Sequence, residues 1–408
     1  MLNFTLPQLE AFLQAADELY PRMVQFLAEI IRIRSYTGEE AGAVQRTLAE
    51  LRQIGCREVW MDTAGNALGL IGEGAPLILY DAHLDTNEVG DERNWPYPPL
   101  EGRIEGDVLY GLGASDCKSG VAAIVYGLAI LNRLGLQPPC RVICMGATLE
   151  EDAEGFALRS LVERDGLRPD AVLLAEATDL TIRIGHRGRC EVHVRTHGKT
   201  AHASTPQAGE SAILKMLPII EKLEADAQNL PADARLGKAT QVITMITSPH
   251  TPNSIPAWCE ITIDRRLIAG ETPESVLQPI QKTAALFDGE AFIPIRKVRT
   301  HTGVNLDDRA FFPGWILDEN HPLVESARRT TQLLWNSAAQ VGIWQFSTDG
   351  TYSAGQAGIP TLGFGPQEEQ YVHTPLDQVN LQKVKKAALF YALFPFVYHQ
   401  HLNHSGGI

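Results

Sequence analysis

The pattern of apolar and polar positions divides the chain into three stretches. In the first, Leu9, Phe12, Leu13, Leu19, Met23, Phe26, Leu27, Ile30 and Ile31 recur at helical spacing, and Pro7 and Pro21 predict two helices rather than one. A helix follows over 39–54, with Thr37 as its candidate N-cap. Short strands at 57–62 and 67–72 are joined by Ala64-Gly65-Asn66. The apolar run APLILYDA then reads as a buried strand ending in His83-Leu84-Asp85. An extended hairpin turns at Glu105-Gly106, a helix fits 118–135, and RVICMGAT is the next strand. Helix and strand alternate to Glu176, the signature of an α/β fold with a parallel or mixed sheet.

The period changes near residue 187. The strands RCEVHVRTHG, TQVITMITSP, AWCEITIDRRL and AFIPIRKV, with helices over 209–226 and 273–287, follow the order of a ferredoxin-like α+β sandwich. After Pro322 the α/β pattern returns, with a helix, a strand at VGIWQF, a short helix near 349–357, a strand in IPTLGFG and a closing helix over 380–399. Residues 188–298 are therefore expected to form a domain inserted between two parts, 1–187 and 299–408, of a catalytic domain. Surface loops tolerate such insertions because the ends of the host stay close together.

Composition narrows the class. A chain of 408 residues exceeds one ordinary core, and 44% apolar with 21% charged residues is the balance of a globular enzyme. A net charge of −14 argues against a nucleic-acid surface. No run of about 18 apolar residues is legible, so no membrane span is expected. The first twenty residues lack the basic start and apolar run of a leader. The six cysteines form no CxxC pair, and most sit in strand-like runs, so they read as buried thiols and a cytoplasmic setting is expected. Cys140 and Cys144 read as residues of a buried strand rather than metal ligands.

The chemistry gathers at strand ends. His83 and Asp85 close one strand, Asp116 stands in GLGASDCKSG, Glu150-Glu151 close the next strand, Glu176 closes VLLAEATD, and His373 follows in YVHTPLDQ. Sites in open α/β sheets form beyond the carboxyl ends of strands. A lone Asp before a helix is more often an N-cap, and adjacent glutamates at a strand end repel unless cations neutralise them. Taken together, hard acids and imidazoles suit divalent metal. Asp116 is the candidate to bridge two ions, and one glutamate of the pair is left as a base.

These motifs (HLD, GASDCK, the Glu pair, AEATD and YVHTP) resemble the M20 family of metallopeptidases and deacylases, which includes succinyl-diaminopimelate desuccinylase, over about residues 20–398. The runs EEDAEGFALRS and HRGRCEVHV are similar to a subgroup of hydrolases named for selenium metabolism. The resemblance implies a zinc-peptidase-like catalytic domain, a mixed sheet flanked by helices, with the inserted domain as lid and dimerisation element. It implies that His83 and Glu176 hold one metal, Glu151 and His373 the other, and Asp116 bridges them. The ions would be zinc, with cobalt or manganese as alternatives. Asp85 would orient His83, Glu150 would be the general base, and the Asp116–Cys117 peptide would be cis. His202 would reach the active site of the second subunit of a homodimer. Asn253 and Arg266 would bind substrate, Arg266 through a carboxylate, and Gly363 and Gly365 would let backbone approach it. The implied reaction is hydrolysis of an amide in a small carboxylate-bearing substrate, an N-acyl amino acid or dipeptide, by a hydroxide bridging the two metals.

The chain departs from the family pattern at Leu112, where Arg is usual, and at Ser119, where Gly is usual. Carbamoyl-amino-acid and allantoate amidohydrolases of the same fold group place His where Glu176 stands. A non-catalytic binding protein on this fold would be expected to have lost ligands or the base. A serine nucleophile lacks its GxSxG elbow.

Overall fold

A computed structural model of the chain describes residues 6–249 and 251–405. The leading five residues, part of the segment judged not to be a leader, lie outside the described residues. The first part of the chain builds α1 (Leu6–Arg32), α2 (Ala41–Gln53), β1 (Glu58–Met61), β2 (Ala67–Ile71), β3 (Leu77–His83), α3 (Ser119–Arg133), β4 (Arg141–Ala147), α4 (Phe156–Glu163), β5 (Ala171–Leu174) and β6 (Ile182–Arg183). The last part adds β11 (Val341–Gly342), β12 (Thr361–Gly363), α7 (Pro322–Trp335), the short α8 (Gly350–Ser353) and α9 (Leu381–Ser405). The eight strands order as β1-β2-β4-β3-β5-β12-β6-β11. The central β4, β3, β5 and β12 are parallel, while β1, β2 and β6 pair antiparallel, so the sheet is mixed.

Strand β3 explains its own sequence. Every residue from Leu77 to His83 is buried. Ile78, Tyr80 and Ala82 join the core of α1, α3 and α9 on one face; Leu77 and Leu79 join that of α4, Trp315 and Trp344 on the other. A strand covered on both faces has no polar alternation to show. Helix α3 is buried from Ser119 to Leu131 and is apolar all round, as a central helix must be. The stretch Ala114–Arg133 is long and apolar enough to cross a membrane, contrary to the sequence reading, yet it is wholly buried in this core.

Two local expectations are corrected. Pro21 does not divide α1, which runs unbroken from Leu6 to Arg32. Pro21 is exposed, while Phe12, Ala15 and Ala16 before it and Met23, Phe26, Leu27 and Ile30 after it pack into one core, so tertiary burial outweighs the missing hydrogen bond. Thr37 does not cap α2; Glu40 holds the N-cap position, and the Thr37 hydroxyl donates instead to Asp85 Oδ2 at 3.0 Å.

The middle of the chain folds as a second, smaller sheet with its own core. It comprises β7 (Gly188–His197), α5 (Ala212–Ala227), β8 (Thr240–Thr247), β9 (Trp258–Leu267), α6 (Pro273–Ala285) and β10 (Gly289–Phe292), ordered β8-β9-β7-β10 and antiparallel throughout. That is the ferredoxin-like order. Cys190, Val192, Val194, Cys259, Ile261 and Ile263 alternate inward against α5 and α6. The expected strand AFIPIRKV is two strands: β10 ends at Phe292, and Ile295–Arg299 pairs with Asn305–Arg309 as a hairpin. Phe311–Phe312 then returns to β7, so the small sheet draws on residues past 298.

Candidate active site

Four segments meet beyond the carboxyl end of β3. His83 is buried, its Nδ1 lies 3.0 Å from the Asp85 carbonyl oxygen, and its Nε2 lies 3.0 Å from Asp116 Oδ1. With the Nδ1 proton donated to the carbonyl, the Nε2 lone pair would face a carboxylate, an arrangement that suits a cation held between them. The other oxygen of Asp116 is 2.9 Å from His373 Nε2, which is also 3.0 Å from Glu151 Oε2. Glu176 Oε1 stands 3.5 Å and Glu150 Oε2 3.9 Å from His83 Nε2. The Asp116–Cys117 peptide is cis.

The loops that deliver these groups are tied to one another. Asp85 acts on the glutamate pair as well as on His83. Its carboxylate accepts the backbone N–H of Glu150 at 3.2 Å and of Glu151 at 3.1 Å, while its Oδ1 is 3.6 Å from His83 Nδ1. Asp377, four residues after His373, accepts from Gly113 N at 2.6 Å and from Ser115 N and Oγ at 2.7 and 2.6 Å. One end of the chain thus clasps the turn that presents Asp116. From the sequence Thr37 reads only as a helix cap and Asp377 does not stand out, because a hydroxyl or carboxylate that braces a distant loop has no local signature. Asn87, also missed, donates to Glu151 Oε2 at 2.8 Å and lies 3.1 Å from His373 Nε2.

The electrostatics favour positive charge at the cluster. Burial raises the carboxyls of Glu150 and Glu151, and that of Glu176 to about 8. Burial opposes ionisation of Asp116 too, but hydrogen bonds from His373 and His83 hold it low. Hydrogen bonds to Asp116 and Glu151 raise His373 to about 10. Glu176 Oε2 is buried with no hydrogen-bond partner. Donor atoms of His83, Asp116 and Glu151 lie within 4.8 Å of one another. Donors about 2 Å from a shared ion lie about 3 Å apart, so the observed separations fit metal ligation. Cys117 also lies within 4.8 Å of His83 and Glu176, but burial raises its thiol well above its usual value and its Sγ faces the Ala175 carbonyl at 3.7 Å. The oxygen- and nitrogen-donor set is therefore the one that fits a divalent ion.

A cavity of about 440 Å³ joins this cluster to the small sheet and is lined by Glu150, Glu176, Glu154, Arg189 and Arg266 among others. Arg189 and Arg266 sit directly opposite each other on β7 and β9. Like charges so placed repel unless countered. Glu154 answers Arg189 at 3.1 Å, and Asp264 answers Arg266 at 2.9 Å. Alternation separates Arg266 from Arg265, which points inward and pairs with Glu271 at 2.6 Å. Arg189 escaped the sequence reading although the same alternation puts it on the face of Arg266.

The other expected site residues lie elsewhere. His202 is exposed, and its Nδ1 is 2.7 Å from Ser204 Oγ. Asn253, also exposed, joins the same loop pair through its carbonyl, which accepts from Ala203 N at 2.9 Å. Neither lines the cavity beside the cluster. Gly363 and Gly365 are buried and line neither cavity. A Cβ on Gly363 would run into the Trp344 ring, and one on Gly365 into the Glu176 carbonyl oxygen, so packing accounts for both glycines.

The sequence matches the model of Peptidase family M20/M25/M40 over residues 79–395. It is 34% identical over 387 residues to YgeY of Escherichia coli strain K12, covering 94% of this chain and 96% of that one. It is 26% identical over 304 residues to a succinyl-diaminopimelate desuccinylase of Dinoroseobacter shibae, covering 71% and 77%. Among solved structures, the aminopeptidase PepT of Bacillus cereus superposes with a TM-score of 0.70 at 19% identity, over 93% of this chain and 99% of that one. The Bacillus subtilis protein YXEP, described as a dinuclear metal binding peptidase from the M20 family, gives 0.68 at 15% identity over 93% and 98%. With the fold, the strand-end cluster and the family match in agreement, the chain belongs to peptidase family M20/M25/M40 and is a metallohydrolase of amide bonds.

Proposed function

We propose that the enzyme hydrolyses the amide of a small carboxylate-bearing substrate, an N-acyl amino acid or a dipeptide, with two divalent ions, most readily zinc. The observation that carries this reading is the Asp116 carboxylate set between two imidazoles, 3.0 Å from His83 and 2.9 Å from His373. In this reading His83 and Glu176 would hold one ion and Glu151 and His373 the other, with Asp116 placed to serve both. When bound, the pair supplies Lewis-acid charge and lowers the pKa of water. Glu150, left unassigned to either ion, takes the proton from the attacking water and returns it to the departing amine. Asp85 fixes the backbone of both glutamates, so base and ligand keep one register. Arg266, with Arg189 across from it, binds the substrate carboxylate through charge-assisted hydrogen bonds.

His202 acts in a second copy of the chain, where it contacts the scissile carbonyl, and Asn253 contacts substrate. What supports this is β8, the outer edge of the small sheet, with Val242, Met245 and Ile246 exposed on it and Leu214 and Leu217 exposed on α5. An apolar open edge invites pairing. A cytoplasmic setting belongs to the same reading, on the strength of six free cysteines.

The test is a panel of N-acetyl, N-succinyl and N-carbamoyl amino acids and dipeptides, run with chelated enzyme, zinc-restored enzyme and Glu150→Ala. Metal-dependent turnover that disappears in the variant is expected. Metal-independent turnover would overturn the assignment.

A further inference from the structure

Two cavities meet at the acid–imidazole cluster, and both are lined by Asn87, Asp116, Glu151 and His373. The one described above has an ionic far wall built by Arg189, Arg266 and Glu154. The other, of about 400 Å³, has an apolar stretch of wall from Val89, Trp95, Leu112 and Pro375, with Glu88, Thr374 and Asp377 also in its lining. Apart from His373, no basic side chain lines it.

We infer that this second cavity receives the acyl half of the substrate and selects acyl groups that are bulky and apolar. The inference rests on the amide-hydrolase reading above. The reacting carbonyl lies by the shared wall, which carries Asp116, Glu151 and His373 of the proposed ligands, with the proposed base Glu150 next to it in the first cavity. A carboxylate on the amine half is drawn to the guanidinium side. The acyl chain then extends into the second cavity, which shares the cluster's wall.

The apolar wall is built in advance. The Trp95 indole N–H donates to the Val89 carbonyl at 3.1 Å, which satisfies the one polar atom of the ring. Asp91 caps the short turn Glu92–Asn94, accepting from Arg93 N at 3.1 Å, and so steadies the segment that carries Trp95. Leu112 N donates to the Pro99 carbonyl at 2.8 Å, which ties the two sides of the wall together. A rigid wall of this kind binds without an ordering cost. Leu112 is also the position where the resembling motif carries Arg. An Arg there would put charge on this wall; Leu leaves it apolar.

The test uses zinc-loaded enzyme and two chelating acyl mimics, acetohydroxamate and benzohydroxamate, with binding measured by calorimetry. Rates on N-acetyl and N-benzoyl forms of one amino acid are measured in parallel. Benzohydroxamate is expected to bind at least tenfold more tightly, about 1.4 kcal/mol. Leu112→Arg and Trp95→Ala should each bring the ratio of the two affinities toward one with zinc content unchanged. Equal binding by the parent enzyme, or a preference that survives both variants, overturns the inference while leaving the hydrolase reading intact. An enzyme that holds zinc yet binds neither hydroxamate and turns over neither substrate overturns the hydrolase reading, and the inference with it.

Discussion

At the edge of the large sheet, His83, Asp116, Glu151 and His373 meet at 2.9 to 3.0 Å. On the small sandwich, His202 and Asn253 face solvent with only their own loop pair for company. The first region is finished within one chain. Buried strand ends set its positions, and Asp85 and Asp377 brace its loops. The second has its fold complete but its proposed substrate residues unengaged, beside an exposed apolar edge. The contrast teaches that the acid–imidazole cluster and the sandwich's proposed substrate residues are organised separately. On the reading proposed above, the large domain would hold the ions with no help, whereas the sandwich would offer two arginines to its own chain's site and its histidine to another's.

The comparison can be broken at several points. Removing the base should have the largest effect: Glu150→Ala is expected to lower kcat by about 10²–10⁴ with metal content unchanged, measured by steady-state rates and elemental analysis. Loss of metal in that variant would make Glu150 a ligand and blur the division between holding ions and moving protons. Charging the open edge, by Met245→Lys with Ile246→Asp, should give a monomer by light scattering with its activity largely lost and its zinc retained. A fully active monomer would show that His202 is not needed across subunits.

Smaller effects sharpen the division. Asp85→Asn keeps the size of the side chain but weakens its hold on two backbone amides, so metal affinity and activity should fall about 10–100-fold. Arg189→Ala should raise KM for a carboxylate-bearing substrate about tenfold while leaving turnover of an amide without that carboxylate unaltered, since charge-assisted hydrogen bonds carry about 1.5–3 kcal/mol. If both substrates suffer equally, Arg189 serves the fold through Glu154 rather than the ligand.

Much of this arrangement was legible because chemistry was tied to periodicity. The run that ends at His83 had to be a strand, and acids at three strand ends had to converge. The sandwich was legible from its switch of period and from its element order. What stayed hidden depends on partners distant in sequence. Pro21 reads as a helix boundary until the core that spans it is seen. Thr37 reads as a cap because its true acceptor, Asp85, is 48 residues away. Asp377 looks like an ordinary turn residue, yet it clasps the Asp116 turn 262 residues back. Gly363 and Gly365 suggested open backbone, and the reason for both was a neighbouring ring and a carbonyl oxygen.

The central claim is that one chain carries a two-ion site joined by Asp116. The most direct measurement is a zinc titration of chelated protein, with bound metal per chain and activity followed together, for the parent and for His373→Ala. Two ions per parent chain are expected, with full activity only when both are bound, and the variant should retain one ion and lose turnover. A parent that saturates at a single ion with full activity, or a variant that still binds two, would contradict the claim.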